Sequence, residues 1–461
     1  MNWIDTADTL ARALDAGHPS APADDPQAAR GDESATLGQF LLEQGVIRQM
    51  RDIEIAASPV AVFGSLALIG GRSADGRFML PRVCGGSGFT RESAQVRAYA
   101  EAMERYCAAV YDASDLRLDV YRHLRDDAVA PGAFALYGPE QYDAPAFEYR
   151  PFLEDTPVNW AQGYSLTQQK PVFVPAAFVY LPYWPTGTET PIGLFPSTGL
   201  ACGRSFLEAA LRGLLEVIER DAIMLMWLNR AAARQIDAKS LGDTPAGKLA
   251  GSDENGKIHI FDITTDVRIP TRFALLTATY RGRSLVSCGA ATHWDGQAAN
   301  TKAVLEALAL RLSVQKVIRT HPMKSHGLDP RAVREIDDHL NFYTNPDHLS
   351  ALDFLLQMEA LPETRQDVSI PGRNMAGQLK ACLELLAERG LEAIVVDVTR
   401  PELAGSGLYA VRVIVPGMIP LTFGSGYVCA AGRRLQEVPV ALGYRRPGEA
   451  LRLNPAPHPF A

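Results

Sequence analysis

The chain lacks the features that mark several common classes of protein. Its formal net charge is −8, so it has no excess of basic residues with which to bind nucleic acid. Its six cysteines stand far apart and never form C-x-x-C, which argues against a zinc ribbon and a disulfide framework. The N-terminus starts with acidic residues and no basic segment, and the charge-free run from Ile55 to Gly71 is short for a membrane span. These absences favour a cytoplasmic protein that binds neither nucleic acid nor membrane.

Several catalytic motifs are also missing. The sequence has no G-x-G-x-x-G, H-E-x-x-H or G-x-S-x-G, so a Rossmann dehydrogenase, a zinc protease and an α/β-hydrolase have no support. "GDTPAGKL", residues 242–249, approaches a P-loop but ends in Leu where Ser or Thr must reach magnesium. "GGSG", residues 85–88, could meet a phosphate or only make a tight turn between a strand and a helix. A nucleophile at Cys84 or Cys202 stays open beside the commoner outcome, buried free cysteine.

The N-terminal part predicts little ordered structure. Residues 1–54 read as a helical extension that contains a disordered linker, rich in Ala, Pro and Asp, at about 16–35. A second helix is predicted to begin at Thr36, because the T-x-x-Q spacing to Gln39 fits a capping box.

The remainder, residues 55–461, predicts a catalytic domain of α/β (α+β) class. Apolar strands alternate with helices that we expect at about Arg91 to Tyr111, Ser205 to Asn229 and Thr301 to Thr320. A proline-rich tail at 454–461 ends the chain.

A repeated pattern, E-x-x-E-R, places two carboxylates and a guanidinium on two of these helices. In a buried setting two carboxylates about 6 Å apart repel by roughly 3 kcal/mol at an effective dielectric of about 20, so they call for cations. Mg²⁺ suits such oxygen ligands and binds polyphosphate with them. The two copies are Glu101, Glu104 and Arg105, and Glu216, Glu219 and Arg220.

The second copy belongs to a wider charged stripe on a mostly apolar helix. With Glu208 and Arg212 included, all five charged residues fall within about 120° of arc on the helix. Because most of the remaining surface is apolar, this stripe favours an internal metal-nucleotide site. A structural reading stays open. In that reading Ser205 and Glu208 form a capping box, and Glu216 pairs with Arg220 one turn later.

The third helix carries Glu306 and Arg311. They lie about 140° apart on the helix, so they could not share one small ion but could touch different parts of a large ligand.

The C-terminal end alternates proline with other residues at Pro455, Pro457 and Pro459. Prolines stiffen an extended strand and leave little entropy to lose. The segment is either an exposed tail or a stiffened terminus threaded into a site, where it would deliver the carboxylate of Ala461.

These blocks together resemble the YcaO family over roughly residues 55–461. The resemblance implies an ATP-binding fold of two related lobes, with Mg-ATP held between helices by Glu and Arg. The blocks are "CGGSGFTRESAQVRAYAEAMERYCA", "FPSTGLACGRSFLEAALRGLLEVIERDA", "FDITTDVRIPT", "AVLEALALRL", "VRVIVPGMIPL" and the proline-rich end.

Carried over by position, the resemblance implies one set of nucleotide-binding residues. Five carboxylates of this set would also bind Mg²⁺: Glu101, Glu104, Glu208, Glu216 and Glu219. The full set is Glu101, Glu104, Arg105, Glu208, Glu216, Glu219, Arg220, Glu306 and Arg311. Arg97, Thr198 and Ala309 depart from the family pattern around the adenosine or ribose.

The resemblance also implies a reaction. Members use ATP to phosphorylate a peptide-bond oxygen, and a Cys, Ser or Thr side chain of a ribosomally made precursor peptide then closes a thiazoline or oxazoline ring. The chain would accordingly be an azoline-forming cyclodehydratase of bacteriocin or antibiotic biosynthesis. Its catalytic tail would comprise Pro455, Pro457, Pro459 and Ala461, with the Ala461 carboxylate as a proton shuttle.

Partner proteins are implied as well. Residues 1–54 are too few for the adenylating-enzyme-like (E1-like, ThiF-like) leader-binding module that some members carry, so a separate partner is expected. An FMN-dependent azoline dehydrogenase and a homodimer within a larger synthetase complex are expected too.

Two other functions stay open. A family member could use external sulfide or an amine to form a thioamide or amidine. Alternatively, the chain could be a non-catalytic scaffold that binds peptide and keeps its acids as structural ion pairs.

Overall fold

A computed structural model describes residues 3–15, 31–56, 59–70, 83–193, 195–250, 256–321, 329–363 and 374–460. Within these ranges, no helix is both long enough and apolar enough to cross a membrane.

Helices and strands alternate along most of the described chain. The helices are α1 (Trp3–Asp15), α2 (Gly31–Glu43), α3 (Arg91–Ala109), α4 (Tyr121–Leu124), α5 (Pro139–Tyr142), α6 (Phe206–Leu228), α7 (Pro245–Ala250), α8 (Gly296–Thr320), α9 (Ile336–Phe342), α10 (Asp353–Leu356), α11 (Met375–Ala387) and α12 (Arg434–Ala441). The strands are β1 (Ile47–Ala56), β2 (Val62–Ile69), β3 (Val83–Gly88), β4 (Arg117–Asp119), β5 (Val158–Ser165), β6 (Lys170–Pro175), β7 (Leu200–Gly203), β8 (Arg234–Ile236), β9 (Lys257–Asp262), β10 (Thr271–Tyr280), β11 (Arg283–Thr292), β12 (Ala360–Leu361), β13 (Ile394–Asp397) and β14 (Tyr409–Ile414).

The chain divides into two compact units that interleave in sequence, and the division falls inside α6. The first unit comprises Met1–Ile53, Gly64–Val217 and Ser369–Met418. The second unit comprises Glu54–Phe63, Ile218–Val368 and Ile419–Ala461.

The first unit is built on a sheet in which strands distant in sequence lie side by side. The strand order is β4-β5-β13-β14-β7, with β6 paired to β5. The pairings along this sheet are antiparallel, for example Val411 of β14 opposite Ala201 of β7. Helix α3 packs on β3, β7 and β14. A three-stranded sheet has the order β1-β2-β3.

The second unit is built on a five-stranded sheet of order β11-β10-β9-β8-β12. Its long hairpin pairs Thr271 with Thr292 and Tyr280 with Arg283, so β10 and β11 match over their whole length. Helix α8 packs on β10 and β11. The strands are antiparallel apart from β8 with β12, and the predicted mixed helix-and-sheet class is confirmed.

Three predicted boundaries are wrong. Helix α2 begins at Gly31, so Thr36 lies inside the helix and is not its N-cap. Helix α8 begins at Gly296 and not near Thr301, because the Asp295 side chain accepts the backbone N–H of Gln297 and caps the helix there. "GGSG" belongs to strand β3 and is not a loop between strand and helix.

Glycines let each of three helices lie directly on a strand that precedes it. A Cβ atom added at any of these glycines would collide with the backbone of the following helix. Glycine is therefore required for close approach, since its backbone angle is ordinary at all three positions. The glycines are Gly86 of β3 against α3, Gly203 of β7 against α6 and Gly289 of β11 against α8.

Replacing Gly203 with Ala is expected to destabilise the protein by about 1–3 kcal/mol through overpacking. The added Cβ would lie 2.5 Å from the backbone nitrogen of Ala209, inside α6. Gly132→Ala is the matched control, because a Cβ there meets nothing within 4 Å. Thermal unfolding of both variants measures the effect, and equal melting temperatures would contradict the packing argument.

Candidate functional site

Helix carboxylates of the predicted site accept backbone N–H groups from nearby strands. In two of these bonds, one in each unit, the donor and the acceptor are 16 residues apart in sequence. The two units therefore share the same local arrangement of a strand and the helix that follows it. A carboxylate held by a backbone N–H has a fixed direction. The bonds are Gly85 to Glu101 (2.7 Å), Cys202 to Glu104 (2.7 Å), Arg204 to Glu208 (2.7 Å), Thr292 to Glu219 (3.1 Å) and Ala290 to Glu306 (2.9 Å).

In the first unit, α3 and the start of α6 bring three predicted carboxylates together. Burial raises the pKa of Glu104 to about 8, and the charges of Glu216 and Glu101 add to the rise. Arg105 offsets part of this repulsion and lies 3.4 Å from Glu101. The crowding of negative charge expected from the two E-x-x-E-R copies is therefore present among Glu101, Glu104 and Glu216.

Glu208 is held differently from the capping box that its spacing to Ser205 allowed. Ser205 Oγ accepts the backbone N–H of Glu208, as at an N-cap. The Glu208 carboxylate, however, accepts the N–H of Arg204 and forms a 2.6 Å ion pair with Arg212. Glu208 therefore braces the end of β7 against α6.

Arg412 of β14 is a site residue that motif spacing did not reveal. It is 4% exposed, and its Nε and Nη2 donate to the carbonyls of Phe178 (2.9 Å) and Pro196 (2.8 Å). Its Nη1 has no hydrogen-bond partner in the described part of the chain. Burial lowers the pKa of Arg412 to about 10, against the opposing attraction of Glu216. A buried cation beside these acids balances part of their charge, which no local sequence pattern could indicate.

In the second unit, the end of α6 places an arginine against the C-terminal tail. Glu219 accepts the N–H of Thr292, and its other oxygen lies 3.4 Å from Nε of Arg220. The Arg220 guanidinium carbon lies 5.4 Å from the ring centre of Phe460. Arg220 thus joins the predicted phosphate-binding residues to the chain end through a cation–π contact.

Glu306 and Arg311 on α8 contact different elements, as their angular separation suggested. Glu306 accepts the N–H of Ala290, whereas Arg311 donates to the carbonyl of Ile55 at 2.8 Å. Their predicted role in nucleotide binding stays a prediction.

Asp221, next to the second E-x-x-E-R copy, anchors α6 in the second unit. It is fully buried, accepts the N–H of Ile419 at 3.0 Å and pairs with Arg434 at 2.7 Å. Arg434 also bonds Asp266, and the two carboxylates raise its pKa against the effect of burial. Removing one partner of a buried pair leaves an uncompensated charge, so this network fixes the helix that carries Glu219 and Arg220.

The proline-rich end is buried at its tip, so the exposed-tail interpretation is wrong for it. Pro457, Pro459 and Phe460 are buried, whereas Pro455 is exposed. Ala461, the predicted proton shuttle, lies outside the described residues.

The predicted magnesium ligands fit the metal by type but are not grouped as a preformed cage. Among the described residues, no three His, Cys, Asp or Glu side chains stand close enough together to hold a metal ion. Mg²⁺ commonly takes only one or two carboxylates and completes its shell with water and phosphate oxygens. The carboxylates of both units suit that role chemically, and which of them bind metal stays a prediction.

The structure also accounts for the two candidate cysteine nucleophiles and for the segment that approaches a P-loop. Both Cys84 and Cys202 are buried, and burial with the Glu104 charge holds the pKa of Cys202 well above its usual range, so its thiol is a poor nucleophile. In "GDTPAGKL", Thr244 Oγ1 accepts the N–H of Gly247 at the start of the short helix α7.

Replacing Glu104 with Gln is expected to stabilise the protein more at high pH than at low pH. A carboxyl whose pKa rises from 4.5 to about 8 on folding opposes folding increasingly as pH rises between those values, and Gln does not titrate. Melting temperatures at about pH 5 and about pH 8 measure the difference. Glu437→Gln, at an exposed position of α12, is the control. A Glu104→Gln variant whose advantage does not grow with pH would contradict the assignment of Glu104 as a crowded, desolvated acid.

Comparison with known proteins identifies the family to which the chain belongs. Residues 85–419 match the model of a family described as YcaO cyclodehydratase, ATP- and Mg²⁺-binding. An uncharacterized protein of Methanothermobacter thermautotrophicus is 29% identical over 406 residues, which cover 85% of this chain and 95% of that protein.

Solved structures share the fold. A heterocyclase in complex with substrate and cofactor superposes with a TM-score of 0.72 at 24% identity, over 96% of this chain. The match covers 59% of that heterocyclase, so this chain spans only part of its length. The YcaO protein of Methanopyrus kandleri, bound with AMPPCP and Mg²⁺, superposes with a TM-score of 0.60 at 22% identity, over 86% of this chain and 92% of that one. The predicted fold, family and cofactors, ATP and Mg²⁺, are thereby confirmed, and the chain belongs to the YcaO family.

Proposed function

We propose that the chain is an ATP-dependent cyclodehydratase that converts Cys, Ser or Thr of a ribosomally made precursor peptide into thiazoline or oxazoline rings. The observation that carries the proposal is the contact between Arg220 and Phe460, which joins the proline-rich end to a residue of the predicted phosphate-binding set. The proline-rich end supports the choice of ring formation within this family, because the resemblance implies that members with alternating prolines at this end form azolines, and its tip is buried here.

The proposed reaction balances in atoms. The oxygen of a peptide bond attacks the γ-phosphorus of ATP and releases ADP. The side-chain thiol or hydroxyl loses its proton and bonds to the carbonyl carbon. Phosphate then leaves with the original amide oxygen, and the amide nitrogen loses its proton as the C=N bond of the azoline forms. One water is removed from the peptide per ring, and its oxygen appears in phosphate.

The chain's own residues would position the triphosphate and stabilise its negative charge. The carboxylates Glu216 and Glu219 would bind Mg²⁺ with the triphosphate, and Arg220 would offset negative charge on the transferred phosphoryl group. The fixed direction of Glu219, which accepts the N–H of Thr292, supports this role, because catalysis of phosphoryl transfer is largely positioning and charge stabilisation.

Partner proteins complete the proposal. The substrate is a Cys-, Ser- and Thr-rich precursor peptide, recognised with a separate adenylating-enzyme-like, leader-binding protein. An FMN-dependent dehydrogenase would oxidise azolines to azoles, and the chain would act as a homodimer within that complex.

Incubation with ATP, Mg²⁺, the leader-binding partner and a Cys/Ser/Thr-rich peptide encoded beside the gene is expected to remove one water per ring. Mass spectrometry of the peptide measures this loss, and omission of ATP is the control. A product that gains sulfur or an amine would identify the external-nucleophile reaction instead, and an unchanged peptide would contradict cyclodehydration.

Glu216→Gln and Glu219→Gln are each expected to lower the rate of ATP-dependent dehydration at least about 100-fold, because each removes a charge at the triphosphate. Rates of ADP formation and of ring formation measure the loss. Glu437→Gln on α12 serves as the control for removal of a surface carboxylate. If both variants kept wild-type ATP hydrolysis and peptide modification, the acids would be structural ion pairs of a non-catalytic scaffold.

A further inference from the structure

The proline-rich end is held mainly through its carbonyl groups. Prolines have no N–H to donate, so the segment cannot join a sheet through a regular ladder of bonds. Three buried side chains of the second unit donate to successive carbonyls of the tail instead. These bonds join Trp227 to Ala456 (2.9 Å), Tyr343 to Pro457 (2.5 Å) and His339 to His458 (2.8 Å).

The protonation state of His339 follows from its two hydrogen bonds. Its Nε2 lies 3.0 Å from the backbone nitrogen of Gly424, which can only donate, so Nε2 accepts. Its Nδ1 lies 2.8 Å from the carbonyl oxygen of His458, which can only accept, so Nδ1 carries the proton. His339 is therefore neutral, and a second proton at Nε2 would face the Gly424 N–H group.

His458 reinforces that state. It is 3% exposed, and its Nε2 donates to the carbonyl of Thr422 at 2.8 Å. The two imidazole rings lie 4.4 Å apart, so a charge on one ring disfavours a charge on the other. Burial holds the pKa of His458 well below its usual range and lowers that of His339 as well.

The same segment ends beneath Arg220. Phe460 is 3% exposed and lies between the Arg220 guanidinium, 5.4 Å from the ring centre, and Phe273, at 5.7 Å between ring centres. Only one residue separates Phe460 from His458, so the anchored carbonyl determines where the Phe460 ring can lie.

We propose that His339 is a positioning residue for the C-terminal tail: its neutral ring holds the carbonyl of His458 and so keeps Phe460 against Arg220. The effect on catalysis rests on the proposed function, whereas the anchoring does not.

Two substitutions separate the two bonds of His339. Asn offers an amide N–H near the position of Nδ1 and can keep the bond to the tail. Gln places its amide oxygen near the position of Nε2, so it can keep the Gly424 bond but not the tail bond. His348→Gln is the matched control, because His348 also bonds a carbonyl in this region, that of Phe342, and does not contact the tail.

The test places 4-fluorophenylalanine at position 460 of the full chain and compares its ¹⁹F resonance between the wild type and the variants. At about pH 7.5 we expect a buried resonance in the wild type, His339→Asn and His348→Gln, and the resonance of a free fluorinated ring in His339→Gln. A buried resonance in His339→Gln would overturn the proposal.

Kinetics separate this inference from the proposed function. His339→Gln should lower kcat for ring formation about tenfold or more without raising KM for ATP, and His339→Asn should restore it. A full kcat in His339→Gln would refute the catalytic part. A wild type that forms no azoline would refute the proposed function and leave the ¹⁹F result standing.

Discussion

A carboxylate on a helix that accepts a backbone N–H from a nearby strand is the interaction on which each unit depends. It needs a glycine in the strand, because only a residue without Cβ lets the helix come close enough. It also needs a Glu on the helix face that rests on the strand. Glu101 with Gly86 and Glu306 with Gly289 meet both conditions, and Glu208 with Gly203 differs in that its N–H comes from Arg204, just after the strand. The backbone N–H fixes the direction of each acid, and Glu101 and Glu208 also form ion pairs with Arg105 and Arg212.

The same arrangement places charge where it opposes folding. Glu104 is driven toward its protonated form by burial and by Glu216 and Glu101, and Arg412 is buried with one nitrogen unpartnered in the described part of the chain. Groups with strongly perturbed pKa values cluster at functional sites, since a bound ligand of suitable charge offsets their cost. Magnesium with a polyphosphate carries both signs of charge and would relieve the acids and the arginines together.

The sequence was informative where the signal was local. The two E-x-x-E-R copies, the helices α3 and α6 and the mixed helix-and-sheet class follow from short patterns. The fold's long-range features were not accessible in this way. Arg412 and Asp221 matter through partners far away in sequence, such as Pro196 and Arg434. "GGSG" misled because glycine serves close packing in a strand as well as turns. The anchor at His339 lies in no motif at all, and only the path of the tail reveals it.

We propose that the chain activates a backbone amide oxygen by phosphorylation. The most direct measurement uses the precursor peptide synthesised with ¹⁸O in the amide carbonyl that precedes a cyclised Cys, followed by mass analysis of the phosphate released. The account predicts one ¹⁸O atom in phosphate for each ring formed, since the amide oxygen leaves with phosphorus. Ring formation that releases unlabelled phosphate and labelled water would contradict it.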